Sequence, residues 1–213
     1  MDPVTSDTES LTRAERKKLE LRREIIDAAF ECFADAGYHA TGIADIAARI
    51  GMGHGTFYRY FDNKRDIVEH VITDLIDKIL GALGAENAPD AVHTLEEYRE
   101  QAARIGDALG RILTEDPRVP RMLLLDAPGI DKAMADRVLE FFELATQLNT
   151  AYMSHGVESG YLHPDLDVVN TARAINGMIL GSTIAAMSDP DLDAAALSAA
   201  IRRVMYDGIA RRE

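Results

Sequence analysis

Residues Thr41–Lys64 read TGIADIAARIGMGHGTFYRYFDNK, and this stretch decides the fold. Ile43, Ile46, Ala47 and Ile50 recur at three- and four-residue spacing, which predicts a short amphipathic helix with Thr41 as its N-cap and Gly51 as its stop. A second short helix is expected from His54 to Tyr60. Two such helices joined by Gly51-Met52-Gly53, where glycine permits a tight turn, form a helix-turn-helix over residues 42–61. At 100° per residue, Phe57 and Phe61 fall about 40° apart and define a buried face. Arg59 then points directly away from it, Gly55 and Thr56 lie on the outer side, and Tyr58 and Tyr60 sit on the two flanks. The competing reading, an aromatic core segment, is weakened because five consecutive residues of a helix cannot all face inward.

That outer face suits DNA. A small residue at Gly55 lets a helix approach a groove closely, Arg59 can make a bidentate contact to a guanine edge, and two tyrosine hydroxyls can reach flanking phosphates.

Outward from this stretch the chain reads as helix after helix. Leu21, Ile25, Ala28, Ala29, Cys32 and Phe33 lie on one face of a helix from Arg13 to Ala36, stopped by Gly37. Asp62 or Asn63 can cap a fourth helix with Ile67, Val71, Leu75 and Ile79 on one side. Gly81–Asp90 reads as a break. Helical patterns follow at about 94–115, in a short segment at Arg121–Leu125, and at about 132–154, 166–187 and 191–211. No stretch reads as a strand. The expected fold is all-α, with about nine helices: an N-terminal three-helix helix-turn-helix domain and a larger C-terminal helical bundle.

The 213 residues are 47% hydrophobic, enough to bury a real core, and carry a net charge of −13. The distribution matters more than the sum. Residues 11–65 hold ten bases and eight acids, six of the bases between Arg13 and Arg23, whereas 66–213 hold 13 bases and 25 acids. A basic run of this kind also suits a solvated helix face, but the asymmetry assigns any polyanion contact to the N-terminal third. A lone cysteine, Cys32, excludes a disulfide framework and a zinc site built on cysteine pairs. The longest uncharged run, Ala174–Ser188, is 15 residues, shorter than a membrane span needs. The first ten residues, MDPVTSDTES, show no signal-peptide pattern. A soluble, cytoplasmic protein with no membrane partner is expected.

Three patterns together, R-x-x-I-x-x-A-A-x-x-x-F-x-x-x-G over Arg22–Gly37, T-x-I-x-D-I-A from Thr41, and G-x-x-x-G-T-F-Y-x-Y-F-x-x-K over Gly51–Lys64, closely resemble the TetR (tetracycline-repressor-like) family of bacterial transcriptional regulators. The resemblance covers about residues 19–79. It implies a DNA-binding domain there and a ligand-sensing, dimerising domain over 80–213. It also implies phosphate contacts from Thr41, Tyr58, Tyr60 and Lys64, with His54, Gly55, Thr56 and Arg59 facing the groove. His54 departs from the lysine or arginine common at that position, and a mostly neutral imidazole attracts phosphate less.

In the C-terminal part, the small residues Ala174, Gly177, Gly181 and Ala185 form a stripe that lets another helix approach closely, and the final helix offers Leu197, Ile201 and Val204. These residues suit a dimer interface or packing within one chain. Met122, Leu125, Phe141 and Phe142, with Met153, Met178 and Met187, can line an apolar ligand pocket or serve as core. His93, His155, His163 and Asp165 match no strong metal-site spacing, and neither a metal nor a cofactor is expected. The leading expectation is a homodimeric repressor that leaves a palindromic operator in double-stranded DNA when a small hydrophobic effector binds. A helix-turn-helix module acting mainly through a protein partner is the alternative. An all-α enzyme is a third class, but the chain shows no nucleophile elbow, phosphate loop or paired-carboxylate spacing.

Overall fold

The computed structural model describes residues 12–81, 88–189 and 191–209, which form nine α-helices and no β-strand. The expected all-α class is found. The chain divides into two compact units, Met1–Asp74 and Leu75–Glu213, and the division falls within the fourth helix.

In the first unit, α1 spans Arg13–Ala36. Thr12 and Glu15 exchange hydrogen bonds in a capping box that satisfies the first free amides. Its first two turns are exposed, and the core face begins at Ile25 and runs through Ala29 to Phe33. Gly37, at φ 84°, ends the helix with its amide on the Phe33 carbonyl. Helix α2 is Ile43–Arg49, shorter than expected by one residue. Its cap is not Thr41: Gly42 holds that place, and the Asp45 carboxylate accepts from the Gly42 amide at 2.7 Å. Arg49 ties α2 to α1 through Asp35 and Glu31.

Gly51, at φ 65°, turns the chain into α3, His54–Phe57. The expected helix to Tyr60 tightens after Phe57, with the Arg59 and Tyr60 amides bonding three residues back. Phe57 and Phe61 are fully buried, their rings 5.7 Å apart. Helix α4, Lys64–Gly81, starts where Asn63 accepts from the Asp66 amide, and Ile67, Val71, Leu75 and Ile79 are buried as their spacing predicts.

The second unit holds α5 (Leu95–Glu115), α6 (Arg118–Arg121), α7 (Lys132–Glu158), α8 (Val168–Ser188) and α9 (Ala194–Ile209). Thr94, Asp131 and Asp167 cap α5, α7 and α8 with side-chain oxygens. The segment expected over Arg121–Leu125 continues α6 as a wider π-type turn over Met122–Asp126, followed by a 3-10 turn at Ala127–Gly129. Helix α7 runs four residues past its expected end, and α9 begins at Ala194 because Asp193 caps it. Of the expected break at Gly81–Asp90, residues 82–87 lie outside the described residues, as do the first ten residues and the last two expected for α9. No described helix is long and apolar enough to cross a membrane.

The turn after α7 depends on Gly156. The Tyr161 and Leu162 amides both bond its carbonyl, and Gly160 at φ 78° reverses the chain. A Cβ on Gly156 would lie 2.6 Å from Leu162 Cδ1 and 2.7 Å from Tyr161 Cε2. Gly156→Ala is therefore expected to lose about 1–2 kcal/mol net, overpacking outweighing the gain in helix propensity. Gly106→Ala in α5, where an added methyl meets nothing within 4 Å, is expected to raise stability instead. Urea unfolding of the two variants separates these outcomes.

Candidate functional site

The outer face of the helix-turn-helix follows from what lies beneath it. Ile46, Ala47, Phe57 and Phe61 are buried, so the residues between them on the helical surface must turn outward. His54, Gly55 and Arg59 are exposed, Tyr58 is 52% exposed, and Thr56 and Tyr60 are half-buried. For Gly55, Arg59 and the two tyrosines this is the exposure expected from the helical wheel, while Thr56, expected on the outer side, is half-buried. The His54 ring packs edge-on against Tyr58 at 5.7 Å, which supports that ring on the surface. Arg59 has no hydrogen-bond or ion-pair partner among the described residues. A Cβ on Gly55 would meet nothing within 4 Å, so the protein's own packing does not require glycine there. From Ile46 to Phe61 the chain carries two arginines and no acid.

Thr41 and Lys64, assigned to phosphate through the resemblance, are brought together but placed differently. Thr41 is buried, with its hydroxyl 3.0 Å from the Cys32 carbonyl and 2.9 Å from that of Gly37. Lys64 Nζ donates to the carbonyls of Tyr38 (2.8 Å) and Thr41 (2.9 Å), reaches that of His39 at 3.4 Å, and lies 4.4 Å from the centre of the Tyr38 ring. The physical reason is local. The chain leaving α1 carries unpaired carbonyls, and one ammonium with three protons satisfies them. In this structure both side chains clasp the α1–α2 connection.

The second unit contains two adjoining cavities, of about 130 and about 190 Å³. Ile105, Leu109 and Leu113 of α5, Asn149 and Tyr152 of α7, and Ile179 of α8 line both. Of the pocket residues expected from the sequence, Phe141 and Phe142 line the smaller cavity. Met122 and Met153 are fully buried core, and Met178 packs against the cluster around Tyr152 and Leu162. Leu125 is 59% exposed because the π-type turn carries it to the surface, and half-buried Met187 lines neither cavity. The missed wall has a readable signal. Ile105, Leu109 and Leu113 repeat every four residues beside the small Ala102, Gly106 and Gly110, which leave space where larger side chains would fill it. An amide chain crosses the wall: Asn149 donates to Asn176 at 2.7 Å, and Asn176 to the Thr146 hydroxyl at 2.9 Å.

On α8, Ala174, Gly177 and Gly181 form an exposed stripe, with nothing within 4 Å of a Cβ on either glycine, while Ala185 is half-buried. Val204 of α9 is 62% exposed. Leu197 and Ile201, expected on the same face, instead line the larger cavity, since α9 turns that side toward α5 and α8. Among the described residues no group of histidines, cysteines and acids could hold a metal ion.

An outward-turned helix-turn-helix on one compact unit and an apolar-walled helical unit after it define a DNA-binding transcription factor with a separate C-terminal region. The family model for bacterial regulatory proteins of the tetR family matches residues 25–71. An HTH-type transcriptional repressor of Mycobacterium tuberculosis is 31% identical over 142 residues, covering 62% of this chain and 76% of that protein. The fatty acid metabolism regulator protein of Bacillus subtilis is 25% identical over 187 residues, covering 87% and 94%. The crystal structure of the transcriptional regulator FadR from Bacillus subtilis in complex with stearoyl-CoA superposes with a TM-score of 0.74 at 24% identity, covering 87% of this chain and 98% of that one. The chain belongs to the TetR family of bacterial transcriptional regulators, which are DNA-binding proteins and not enzymes.

Lys64→Met is expected to loosen the α1–α2 connection, because hydrogen bonds from a charged donor contribute about 1.5–3 kcal/mol. Hydrogen exchange at the Tyr38–Thr41 amides should accelerate well before the protein unfolds. Unchanged exchange there would remove Lys64 from the clasp.

Proposed function

We propose that this protein is a homodimeric repressor that leaves a palindromic operator when a hydrophobic molecule enters its C-terminal domain. The reading takes residues 19–79 as the DNA-binding domain and 80–213 as the sensing and dimerisation domain. The observation that carries it is the pairing, in one chain, of an outward-turned acid-free face at His54–Tyr60 with two apolar-walled cavities in the second unit. Arg59 reads a base edge, Gly55 and Thr56 allow close approach, and Tyr58 and Tyr60 contact phosphates, with His54 beside them. Thr41 and Lys64 serve that face by holding the connection in front of α2, whose N-terminal end Gly42 caps.

The stripe at Ala174, Gly177 and Gly181, with Val204, supports a dimer, because small residues let a second copy's helices come close. A dimer must present its reading helices about 34–36 Å apart to meet successive major-groove faces. The hydrophobic class of effector is supported by the apolar walls and by the company the fold keeps. Solved neighbours include the stearoyl-CoA complex of FadR and a triclosan complex of SmeT, the latter at a TM-score of 0.69 and 22% identity. A ligand that favours a head separation other than 34–36 Å weakens operator binding by its differential affinity.

Arg59→Ala should relax preference at one base-pair position, at a cost of about 1–3 kcal/mol, and leave the fold intact since Arg59 supports nothing inside. Selection from random DNA reads this out. Equal losses on cognate and scrambled sites would make Arg59 a phosphate contact. Linkage supplies the test of the whole reading. A coupling of about 1–3 kcal/mol weakens the operator about 5–150-fold on ligand binding, and operator DNA must weaken the ligand by the same factor. Ligand affinity that is equal with and without operator would leave a DNA-binding regulator that no ligand releases.

A further inference from the structure

Among the described residues that line the two cavities, a single one carries a charge, Arg202 of α9. Every other lining residue is apolar or neutral, and no aspartate or glutamate lines either space. In a chain with 36 acids against 23 bases, composition alone would more often put an acid at such a place.

The guanidinium stands at this wall, not only the stem. Arg202 Nη1 donates to Ser198 Oγ at 2.6 Å, and Ser198, whose side chain is short, lines the larger cavity too. Asp107 Oδ1, on a side chain that is 71% exposed, lies 3.9 Å from the same nitrogen. The Arg202 side chain is itself 34% exposed, so it sits at the mouth of the cavity, within reach of an entering molecule.

Both contacts fall on Nη1. Nε and Nη2 have no partner among the described residues, and their parallel N–H groups form the edge of the fork that grips an oxyanion with two bonds. The Ser198 hydroxyl accepts from Arg202 and gives its own proton to nothing among the described residues, which adds a donor beside the fork. Asp107 does not pre-empt the site, because an ion pair this long and this exposed contributes little. Behind the arginine the wall is hydrocarbon, from Ile201 and Met205 on α9 to Ile105 and Leu109 on α5.

Cationic donors at the mouth of an apolar space fit an amphiphile. Resting on the ligand-sensing reading above, we infer that the effector carries an oxyanion head, a carboxylate or a phosphate ester, held by Arg202 and Ser198, with its hydrocarbon chain in the cavity behind them. A neutral polar head takes the same donors without the charge. An amine meets like charge at Arg202.

Calorimetric titration of the full-length protein with decanoate, decyl phosphate, decanamide and 1-aminodecane tests this. Decanoate and decanamide have the same number of heavy atoms and nearly the same shape, and differ in charge. At least one of the two anions is expected to bind about tenfold more tightly than decanamide, a factor that corresponds to 1.4 kcal/mol. The tighter of the two identifies the head as carboxylate or phosphate. 1-Aminodecane is expected to bind least. Arg202→Met keeps the packing of the stem and should bring the anion to the affinity of decanamide while leaving decanamide unchanged. Arg202→Lys should keep part of the advantage, because the charge remains and the fork does not. Ser198→Ala removes one donor from a half-buried position, so it gives a second reading even if the arginine variants do not fold: a severalfold loss for the anion alone. Equal binding of the anions and decanamide to the unaltered protein overturns the oxyanion inference and leaves the hydrophobic-effector reading standing. An anion advantage that survives Arg202→Met also overturns it, by placing the head elsewhere. If none of the four probes binds, the inference and the hydrophobic-effector reading fall together.

Discussion

The reading face depends on the burial of Phe57 and Phe61, one helical turn apart. Each buried ring contributes about 1.5–3 kcal/mol, more than a typical neutral hydrogen bond at about 0.5–1.5 kcal/mol, so together they favour the inward orientation. Once both point inward, Tyr58, Arg59 and Tyr60 have no freedom to do so. The Arg22 guanidinium packs 5.0 Å from the Phe61 ring, and α1 closes the same core with Ile25 and Phe33. The functional surface is thus an outcome of core packing, and its geometry is fixed before any ligand arrives.

That dependence explains what could be read in the sequence. Periodicity reports burial, and burial sets the helices. α1 was legible to the residue, and so were the inward face of α4 and the outward set from His54 to Tyr60. Thr41 and Lys64, which the resemblance assigned to phosphate, turn inward in this structure, because a motif gives the residue type and not the direction of its side chain. Whether an ammonium reaches outward or back to Tyr38, His39 and Thr41 depends on three carbonyls whose positions only the folded turn creates. The cavity wall was legible only in part. Phe141 and Phe142 line the smaller cavity, whereas Met122 and Met153, open to either pocket or core, fill core completely, and the larger space borders the small Ala102, Gly106 and Gly110. A void is defined by absent atoms, and sequence patterns report those that are present.

The acidic total is compatible with a DNA partner for a related reason. Charges separated by more than a Debye length, about 8 Å at physiological ionic strength, are largely screened, so phosphates respond to the face they touch. That face has no acid between Ile46 and Phe61, while the bases from Arg13 to Lys18 stand on exposed turns of α1. The 25 acids beyond residue 65 weigh on solubility and pI.

The cavities impose a cost that the helix-turn-helix does not. Side chains that line the 130 and 190 Å³ cavities have no packing partner on that side, so they forfeit dispersion contacts that a filled core would make. Adding methyl groups at Gly106 and Gly110 would recover part of this, and nothing within 4 Å prevents it. The forfeited energy is what an entering molecule regains, since a ligand that fills the space restores the missing contacts and stabilises whichever arrangement of helices holds it. The same void therefore lowers the stability of the free protein and supplies the driving force for a response. The amide chain from Asn149 through Asn176 to Thr146 ties α7 to α8 across the wall, so a rearrangement that closed the space would have to break those hydrogen bonds.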